Sequence, residues 1–316
     1  MSTTTIAAKP GFAAKWWIYQ RERFPVFAHG ALIAAFSFSA VSFSALLRGS
    51  HALPDWPSLL VAFFNSFFAF LQLRIADEFK DIDEDTRYRP YRPVPRGLVT
   101  LRELGWLGVA TAVLQLLMAL ALHPPLVILL LVTWTYLGLM SREFFAREWL
   151  KARPFTYLWT HMLIMPLIDF YATACDWLHL GLRPPPGLFG FVIVSFFNGI
   201  VIEIGRKIRA PEDEETGVPT YTVIWGRKGA IGAWFLALLG TTVSAIYASA
   251  HIGFAGLMTS VLLLLLATNV TIGVLFLRTA QRRYAKLVEP LSGLWTLSMY
   301  LSLGAIPMFW RATHGS

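Results

Sequence analysis

The sequence predicts an all-α, polytopic membrane protein with nine transmembrane helices around a central cavity. Of its 316 residues, 56% are hydrophobic and only 15% are charged, which is more apolar surface than a soluble domain of this size could bury. The apolar residues come in blocks, and a run of about 20 of them spans a bilayer. Basic residues concentrate in alternate connections between these blocks. A chain with this pattern crosses the membrane repeatedly.

Nine hydrophobic blocks can be counted along the chain. They cover residues 25–47, 57–73, 104–122, 125–140, 155–175, 187–202, 230–250, 254–277 and 291–310. The fourth block is short and the fifth contains His161 and Asp169, so eight or ten spans are alternatives. Long, charged loops rich in Pro and Gly follow the second and sixth blocks, at 74–104 and 206–229. This spacing predicts one transmembrane domain over residues 1–316, made of two four-helix halves and a ninth helix.

The distribution of Lys and Arg predicts the orientation of the helices. All 27 except Arg48, Arg183 and Arg311 lie in the N-terminal segment or in the second, fourth, sixth and eighth connections. This is the positive-inside bias, and it predicts a cytoplasmic N-terminus, which includes Lys9, and a C-terminus on the opposite side. Orientation therefore explains the net charge of +8 without a nucleic-acid partner. We expect an integral protein of a bacterial inner (cytoplasmic) membrane.

The first charged loop carries acids at a regular spacing. Asp77, Asp81 and Asp85 are four residues apart, so a continued helix would keep all three on one flank. Three carboxylates so close repel one another unless a cation lies between them. Mg²⁺ binds one or two carboxylates together with phosphate oxygens. The spacing therefore predicts a magnesium site at this loop.

Basic residues in the same loop suit a phosphorylated ligand. Arg89 and Arg92, and also Lys80, could hold the remaining charge of a diphosphate, the arginines through paired hydrogen bonds. The alternative is a solvated helix end in which Lys80 and Arg87 neutralise the acids. Repeated Asp is a poor helix former and solubility requires no fixed spacing, so the diphosphate site is the favoured interpretation.

With these residues the sequence resembles the UbiA superfamily of intramembrane prenyltransferases. Members have nine transmembrane helices and two aspartate-rich motifs in cytoplasmic loops after helices two and six. The first motif, Asn-Asp-x-x-Asp-x-x-x-Asp, precedes a stretch like the Pro-Tyr-Arg-Pro-Val-Pro-Arg-Gly of residues 90–97. Aligned on that stretch, the family's Asn falls on Asp77 and its first Asp on Glu78. The next two aspartates fall on Asp81 and Asp85, and the resemblance implies that all four residues bind metal.

The second charged loop resembles the family less fully. Gly217, Thr220 and Gly226 suit the end of the family's second motif. Asp213 matches the later aspartate of that motif, so the resemblance implies a metal ligand there. The early aspartate falls near Arg206, and the pattern departs from the family at this point.

Two alternatives account for this departure. Glu203, one helical turn earlier, could supply the missing carboxylate. Alternatively, Arg206, Lys207 and Arg209 could bind the diphosphate directly in place of a second metal. A simpler interpretation is an ordinary helix-surface pair between Glu203 and Arg206 or Lys207, three and four residues on.

Other polar residues are secondary candidates. Lys151 and Arg153 could reach the diphosphate or could serve only to set topology. His161 could contact an acceptor or a carbocation, or could be a hydrogen-bonded histidine of the bundle. For Asn65 and Asn198, hydrogen bonds between helices are the expected role.

The resemblance implies Mg²⁺-dependent ionisation of an isoprenyl diphosphate on the cytoplasmic side, followed by prenyl transfer to a lipophilic or aromatic acceptor. A terpene cyclase of the same superfamily, in which the substrate's own double bond captures the cation, is the alternative. A third hypothesis is a non-catalytic lipid binder or transporter. Transporters tend to carry charge near the membrane midplane, whereas the acids here cluster at one face. The expected partners are the diphosphate, the acceptor and membrane lipid.

Overall fold

The computed structural model describes residues 10–315, so Lys9 of the predicted cytoplasmic segment lies outside the described residues. No strand occurs among these residues, and the predicted all-helical fold is confirmed. In chain order the helices are α1 (Phe12–Arg23), α2 (Val26–Leu47), α3 (Trp56–Lys80), α4 (Ile82–Tyr88), α5 (Leu101–Leu122), α6 (Leu126–Ser141), α7 (Arg147–Lys151), α8 (Pro154–Met162), α9 (Ile164–Trp177), α10 (Leu188–Gly205), α11 (Tyr221–Ile224), α12 (Gly226–His251), α13 (Ala255–Thr279), α14 (Arg282–Tyr300) and α15 (Ile306–His314). Short 3₁₀ turns lie at Glu143–Phe145 and Pro211–Asp213, and a π-helical segment, Leu301–Ala305, joins α14 to α15.

Six helices in the described range are long and apolar enough to cross a membrane, namely α2, α3, α5, α10, α12 and α13. They carry six of the nine predicted blocks. α6, which carries the fourth, has 16 residues. The fifth and ninth blocks fall on interrupted helices: α8 gives way to α9 at Leu163, and α14 passes through the π-helical segment into α15. Six helices thus support repeated membrane crossing. The nine spans and the cytoplasmic N-terminus stay predictions.

Side-chain caps define the limits of the elements that present the first charged loop. Asp55 accepts a hydrogen bond from the Ser58 amide at the start of α3 (3.1 Å), with Pro57 in the first turn. Thr100 and Glu103 form a reciprocal capping box at the start of α5. Such caps satisfy amides that lack partners inside the helix. The first charged loop therefore leaves the apolar bundle from the end of α3, and α5 begins at a defined residue after that loop.

Glycines allow close approach between helices of the bundle. A Cβ at Gly240 of α12 would lie 2.5 Å from the Phe197 ring of α10, and one at Gly304 would overlap the Ser39 backbone of α2. Small residues at such contacts let transmembrane helices pack tightly. The contact between Gly304 and Ser39 packs the π-helical segment directly on α2, the first membrane helix.

An ion pair ties α2 to α9 at the end of the bundle away from the charged loops. Arg48 donates from Nε and Nη2 to the two oxygens of Asp176 (2.9 and 2.6 Å), and Ser44 donates to the same carboxylate at 2.6 Å. Asp176 is buried. A buried carboxylate held by a guanidinium and a hydroxyl is fully paired.

A groove of about 340 Å³ runs along the outer surface between α3, α5 and α6, lined in part by Ala76, Gly105 and Trp134. Behind it, Gln115 donates to Asn65 Oδ1 at 3.3 Å, so the interhelical role predicted for Asn65 is present. A second depression, of about 410 Å³, lies on α6. Both are peripheral, and the central cavity stays a prediction.

Candidate active site

The first charged loop begins where α3 ends. Asp81 caps α3, and the amides of Asp81 and Asp85 still bond to carbonyls four residues back, at 2.9 and 2.8 Å. Helical hydrogen bonds therefore continue through this junction, although α3 and α4 are separate helices on either side of Asp81. Asp77 remains partly exposed whereas Asp85 is buried. Burial therefore differs along the series, and the sharing of one flank by the three aspartates stays a prediction.

Two of the predicted metal ligands are held by arginines. Glu78 accepts from Arg23 Nε at 2.5 Å and from Arg74 at 3.2 Å. Asp85 accepts from Arg92 with both oxygens, at 2.7 and 2.6 Å. Both acids are almost fully buried, where a carboxylate without a partner would be strongly destabilising. These pairs account for the burial of both acids.

Among the four acids that align with the family's first motif, Asp77 and Asp81 have the least engaged carboxylates. Asp77 lies 3.8 Å from Arg74 and 3.5 Å from Lys80, beyond hydrogen-bond distance. Burial raises the pKa of the Asp81 carboxyl, Lys80 opposes this effect, and Asp77 reinforces it. The two carboxylates thus repel one another electrostatically, as expected for groups that a cation would stabilise.

The donor chemistry of this pair fits a magnesium ion shared with a substrate. Among residues 10–315 no three His, Cys, Asp or Glu side chains form a complete metal cage. Mg²⁺ commonly binds one or two carboxylates and takes its other ligands from water and phosphate oxygens. Asp77 and Asp81 could therefore bind Mg²⁺ together with a phosphorylated ligand.

The second loop contributes basic groups to the same place. Glu203, near the end of α10, accepts from Arg206 at 2.6 Å and lies 2.8 Å from Lys207 Nζ, so the predicted pairs three and four residues on are present. The Glu203 carboxylate raises the pKa of Arg206, and Asp77 in the first loop adds to this effect. Asp77 and Arg206 therefore interact electrostatically across the two charged loops.

Two tyrosines frame the basic groups. Lys80 Nζ donates to the Tyr157 hydroxyl at 3.1 Å. Lys207 Nζ lies 5.6 Å from the centre of the Tyr221 ring, within the range of a cation–π contact, and burial raises the pKa of the Tyr221 hydroxyl. Neither tyrosine was predicted from sequence as a site residue. The available signal was the position of Tyr157 one helical turn before His161.

Asp213 and Arg209 have other partners. Arg282, at the start of α14, donates to Asp213 at 2.8 Å and holds the pKa of that carboxyl below its usual range. Arg209 donates to Glu215 at 2.9 Å and to the Asp213 carbonyl oxygen at 3.3 Å. The metal role of Asp213 and the diphosphate role of Arg209 stay predictions, and each would require these contacts to be exchanged.

The loops also touch outside this cluster. Arg89 lies 3.5 Å from Asp85 and 3.8 Å from Glu215 of the second loop. Gly217 has φ +77°, and a Cβ there would lie 2.6 Å from the Tyr88 ring. Glycine suits this position because it tolerates positive φ and leaves room for the ring. The glycine of the second motif thus packs directly on the first loop.

The connection between α6 and α8 contains two residues predicted to reach the diphosphate, Lys151 and Arg153, and one of them contacts the first loop. Lys151 donates to Glu84 at 2.9 Å. Arg153 lies over the Trp149 ring, 4.5 Å from its centre, and donates to the Trp149 carbonyl oxygen at 3.2 Å. Lys151 therefore borders the site, whereas the contacts of Arg153 lie within its own connection.

The model of the UbiA prenyltransferase family matches residues 35–297, a range that includes both charged loops. The chain belongs to the UbiA prenyltransferase family. Two solved UbiA-like structures share its fold. An apo UbiA homolog from Aeropyrum pernix K1 superposes with a TM-score of 0.62 at 15% identity, over 87% of this chain and 96% of the other. A digeranylgeranylglyceryl phosphate synthase superposes with a TM-score of 0.58 at 16% identity, over 94% and 99%.

No curated protein matches the chain in sequence. At such low sequence identity, the two structural similarities show a shared fold. Membership of the UbiA family agrees with the apolar helices, and the chain is an integral membrane protein.

Proposed function

We propose that this chain is an intramembrane prenyltransferase that ionises an isoprenyl diphosphate with Mg²⁺ and transfers the prenyl group to a lipophilic or aromatic acceptor. The proposal rests on one observation: the second loop meets the first, since Glu215 lies 3.8 Å from Arg89 and the Asp77 carboxylate acts electrostatically on Arg206. Carboxylates and guanidinium groups at one place suit a ligand that carries both metal and phosphate. Family membership supports the same reaction class.

In this proposal each part of the cluster has a separate task. Asp77 and Asp81 hold Mg²⁺, which when bound neutralises charge on the diphosphate leaving group. Arg206 and Lys207 donate to the diphosphate oxygens. Glu203 orients both basic side chains through its two short contacts. The second loop thereby replaces the carboxylates that the family motif has near Arg206 with cations that contact the leaving group directly.

The membrane helices would hold the prenyl tail and exclude water. A long isoprenoid chain partitions into apolar surroundings, and α3 and α10 bring both loops to the boundary of the apolar bundle. An allylic cation formed there is protected from water. Because the distribution of Lys and Arg predicts that the basic loops share one face, the proposed site lies on the cytoplasmic side of a bacterial inner membrane.

The test uses the purified chain in lipid nanodiscs with geranyl, farnesyl or geranylgeranyl diphosphate and Mg²⁺. We expect the wild-type protein to cleave at least one of them and to transfer the prenyl group when an acceptor is added. Asp81→Asn should lower the rate of cleavage at least about tenfold. Asp83→Asn is the matched control, since Asp83 is an exposed acid of the same loop.

Three results would contradict the proposal. Equal cleavage by the Asp81→Asn and Asp83→Asn variants would remove the site assignment. A cyclic hydrocarbon or alcohol formed without acceptor would identify a terpene cyclase. Absence of cleavage of every diphosphate would favour a lipid binder or transporter.

A further inference from the structure

His161 of α8 is a buried histidine to which the mechanism above gives no role. Only 6% of its surface is exposed. Its Nδ1 atom lies 2.8 Å from the Tyr157 carbonyl oxygen. Because a carbonyl oxygen only accepts hydrogen bonds, Nδ1 carries a proton, and in the neutral ring the lone pair lies on Nε2.

The Nε2 atom of His161 is buried and has no hydrogen-bond partner among the described residues. Buried polar atoms without partners are uncommon, because each forfeits its interaction with water. A ligand that donates a hydrogen bond would satisfy this nitrogen.

Aromatic contacts hold the ring in one orientation. The Tyr157 ring stacks on His161 with centres 3.8 Å apart, and the Phe144 ring meets it edge-on at 6.0 Å. Contacts on two sides, together with the Nδ1 bond, restrict rotation of the imidazole. The lone pair of Nε2 therefore has a fixed direction before any ligand binds.

The surroundings of His161 connect it to the proposed diphosphate site. The charged groups that act on its ring are Lys80 and Asp77 of α3 and Glu203 of α10. Tyr157, on the same helix, receives a hydrogen bond from Lys80. His161 thus lies at the boundary between the charged cluster and the apolar bundle, where an acceptor would meet the prenyl cation.

We propose that His161 is the general base of prenyl transfer to an acceptor that carries a hydroxyl group. This inference rests on the proposed function. Nε2 takes the hydroxyl proton while an electron pair of the acceptor forms a bond to C1 of the prenyl group. The bond between C1 and the diphosphate oxygen breaks, and diphosphate leaves with its electron pair. The imidazolium then releases its proton to water, so the products are prenylated acceptor, diphosphate and one proton.

The test compares wild-type protein with His161→Asn in nanodiscs supplied with geranylgeranyl diphosphate and Mg²⁺. The asparagine amide can still donate to the Tyr157 carbonyl, so the variant removes Nε2 with little change to the helix. The acceptors are a panel of lipophilic alcohols and phenols, each paired with its methyl ether, which has no hydroxyl proton. His29→Asn is the matched control, because His29 Nδ1 lies 3.1 Å from the Pro25 carbonyl oxygen and its ring stacks on Phe24.

We expect wild-type protein to prenylate hydroxyl acceptors and not their ethers. His161→Asn should transfer about 10²- to 10⁴-fold more slowly, the usual range for loss of a general base. It should also lose the limb of the pH profile on which wild-type transfer rises, while its Kd for geranylgeranyl diphosphate stays unchanged. The His29→Asn variant should match the wild type in all three measurements.

Two results would overturn the inference and leave the proposed function intact. One is transfer by His161→Asn at the wild-type rate with the wild-type pH profile. The other is cleavage of the diphosphate by wild-type protein without prenylation of any hydroxyl acceptor. Absence of cleavage by wild-type protein would instead overturn the proposed function and this inference with it.

Discussion

Arg23 donates from Nε to Glu78 across 2.5 Å and thereby joins α1, which precedes the first membrane helix, to the first charged loop. Its guanidinium also lies 4.0 Å from Asp85. Both acids fall on aspartate positions of the UbiA motif. Because arginines hold these two, Asp77 and Asp81 are the motif acids whose oxygens are best placed to bind a cation.

Replacing Arg23 should loosen the loop. Arg23→Ala leaves Glu78 buried with only Arg74 as its partner, and loss of one member of a buried pair costs about 3–5 kcal/mol. We expect a lower midpoint of thermal unfolding and a higher KM for the diphosphate. Arg21→Ala, which changes an exposed arginine of the same helix, is the control. A double Arg23→Ala, Glu78→Ala variant should recover part of the stability, and no recovery would argue against the pair.

The motif acids should separate into two classes on substitution. Asp77→Asn and Asp81→Asn should each weaken Mg²⁺-dependent turnover at least about tenfold with little change in stability, since loss of one hydrogen-bonded or ionic contact of about 1.4 kcal/mol corresponds to that factor. Glu78→Gln should mainly lower stability. Turnover at varied Mg²⁺ and thermal unfolding measure the two effects. If Glu78→Gln shifted the Mg²⁺ dependence most, Glu78 would be a metal ligand as the resemblance implied.

Chelation should stop the reaction reversibly. Addition of EDTA removes the ion that Asp77 and Asp81 are proposed to hold, so cleavage should fall to background and return when Mg²⁺ is restored in excess. The rate of diphosphate release is the measurement. Turnover that persists in EDTA would show that Arg206 and Lys207 suffice without a metal.

Glu203 and Arg206 should be separable by a double-mutant cycle. Arg206→Gln weakens diphosphate binding and leaves Glu203 with Lys207 as its remaining partner. Combining it with Glu203→Gln removes a carboxylate that has lost one of its two partners, so stability should return by about 1–3 kcal/mol while the KM for the diphosphate stays high. Unfolding and steady-state kinetics provide the two readouts. Recovery of KM in the double variant would mean that Arg206 does not contact the leaving group.

The pair between Arg48 and Asp176 should affect stability alone. Asp176→Ala leaves the Arg48 guanidinium without its partner at the interface of α2 and α9, at a cost of about 3–5 kcal/mol for a buried pair. Turnover per folded molecule should stay near that of wild type, because the pair is remote from both charged loops. Arg183→Ala, at an exposed residue, serves as the control. A selective loss of turnover in Asp176→Ala would contradict this separation.

The first loop shows which structural features the local sequence pattern can predict. The spacing of Asp77, Asp81 and Asp85 was sufficient to predict an acidic loop at the end of the second apolar block. It could not show that the helix breaks at Asp81 and that Asp85 turns toward Arg92. Which arginine neutralises which acid depends on tertiary contacts, and Arg23 reaches Glu78 across 55 residues.

The second loop illustrates the same limit. The pairing of Glu203 with Arg206 and Lys207 was predictable because these residues are neighbours on one helical face. The engagement of Asp213 by Arg282, 69 residues away, was not. Tyr157 was also missed, since its role depends on Lys80 of another helix.

The helical class, the membrane location and the family were predictable from sequence, because hydropathy blocks and motif spacing are properties of neighbouring residues. The neutralisation of Glu78 and Asp85 by arginines and the unpartnered Nε2 of His161 became evident only in the folded chain. Those features arise from distances between side chains on different helices, and electrostatic and hydrogen-bond energies depend on such distances rather than on position along the chain.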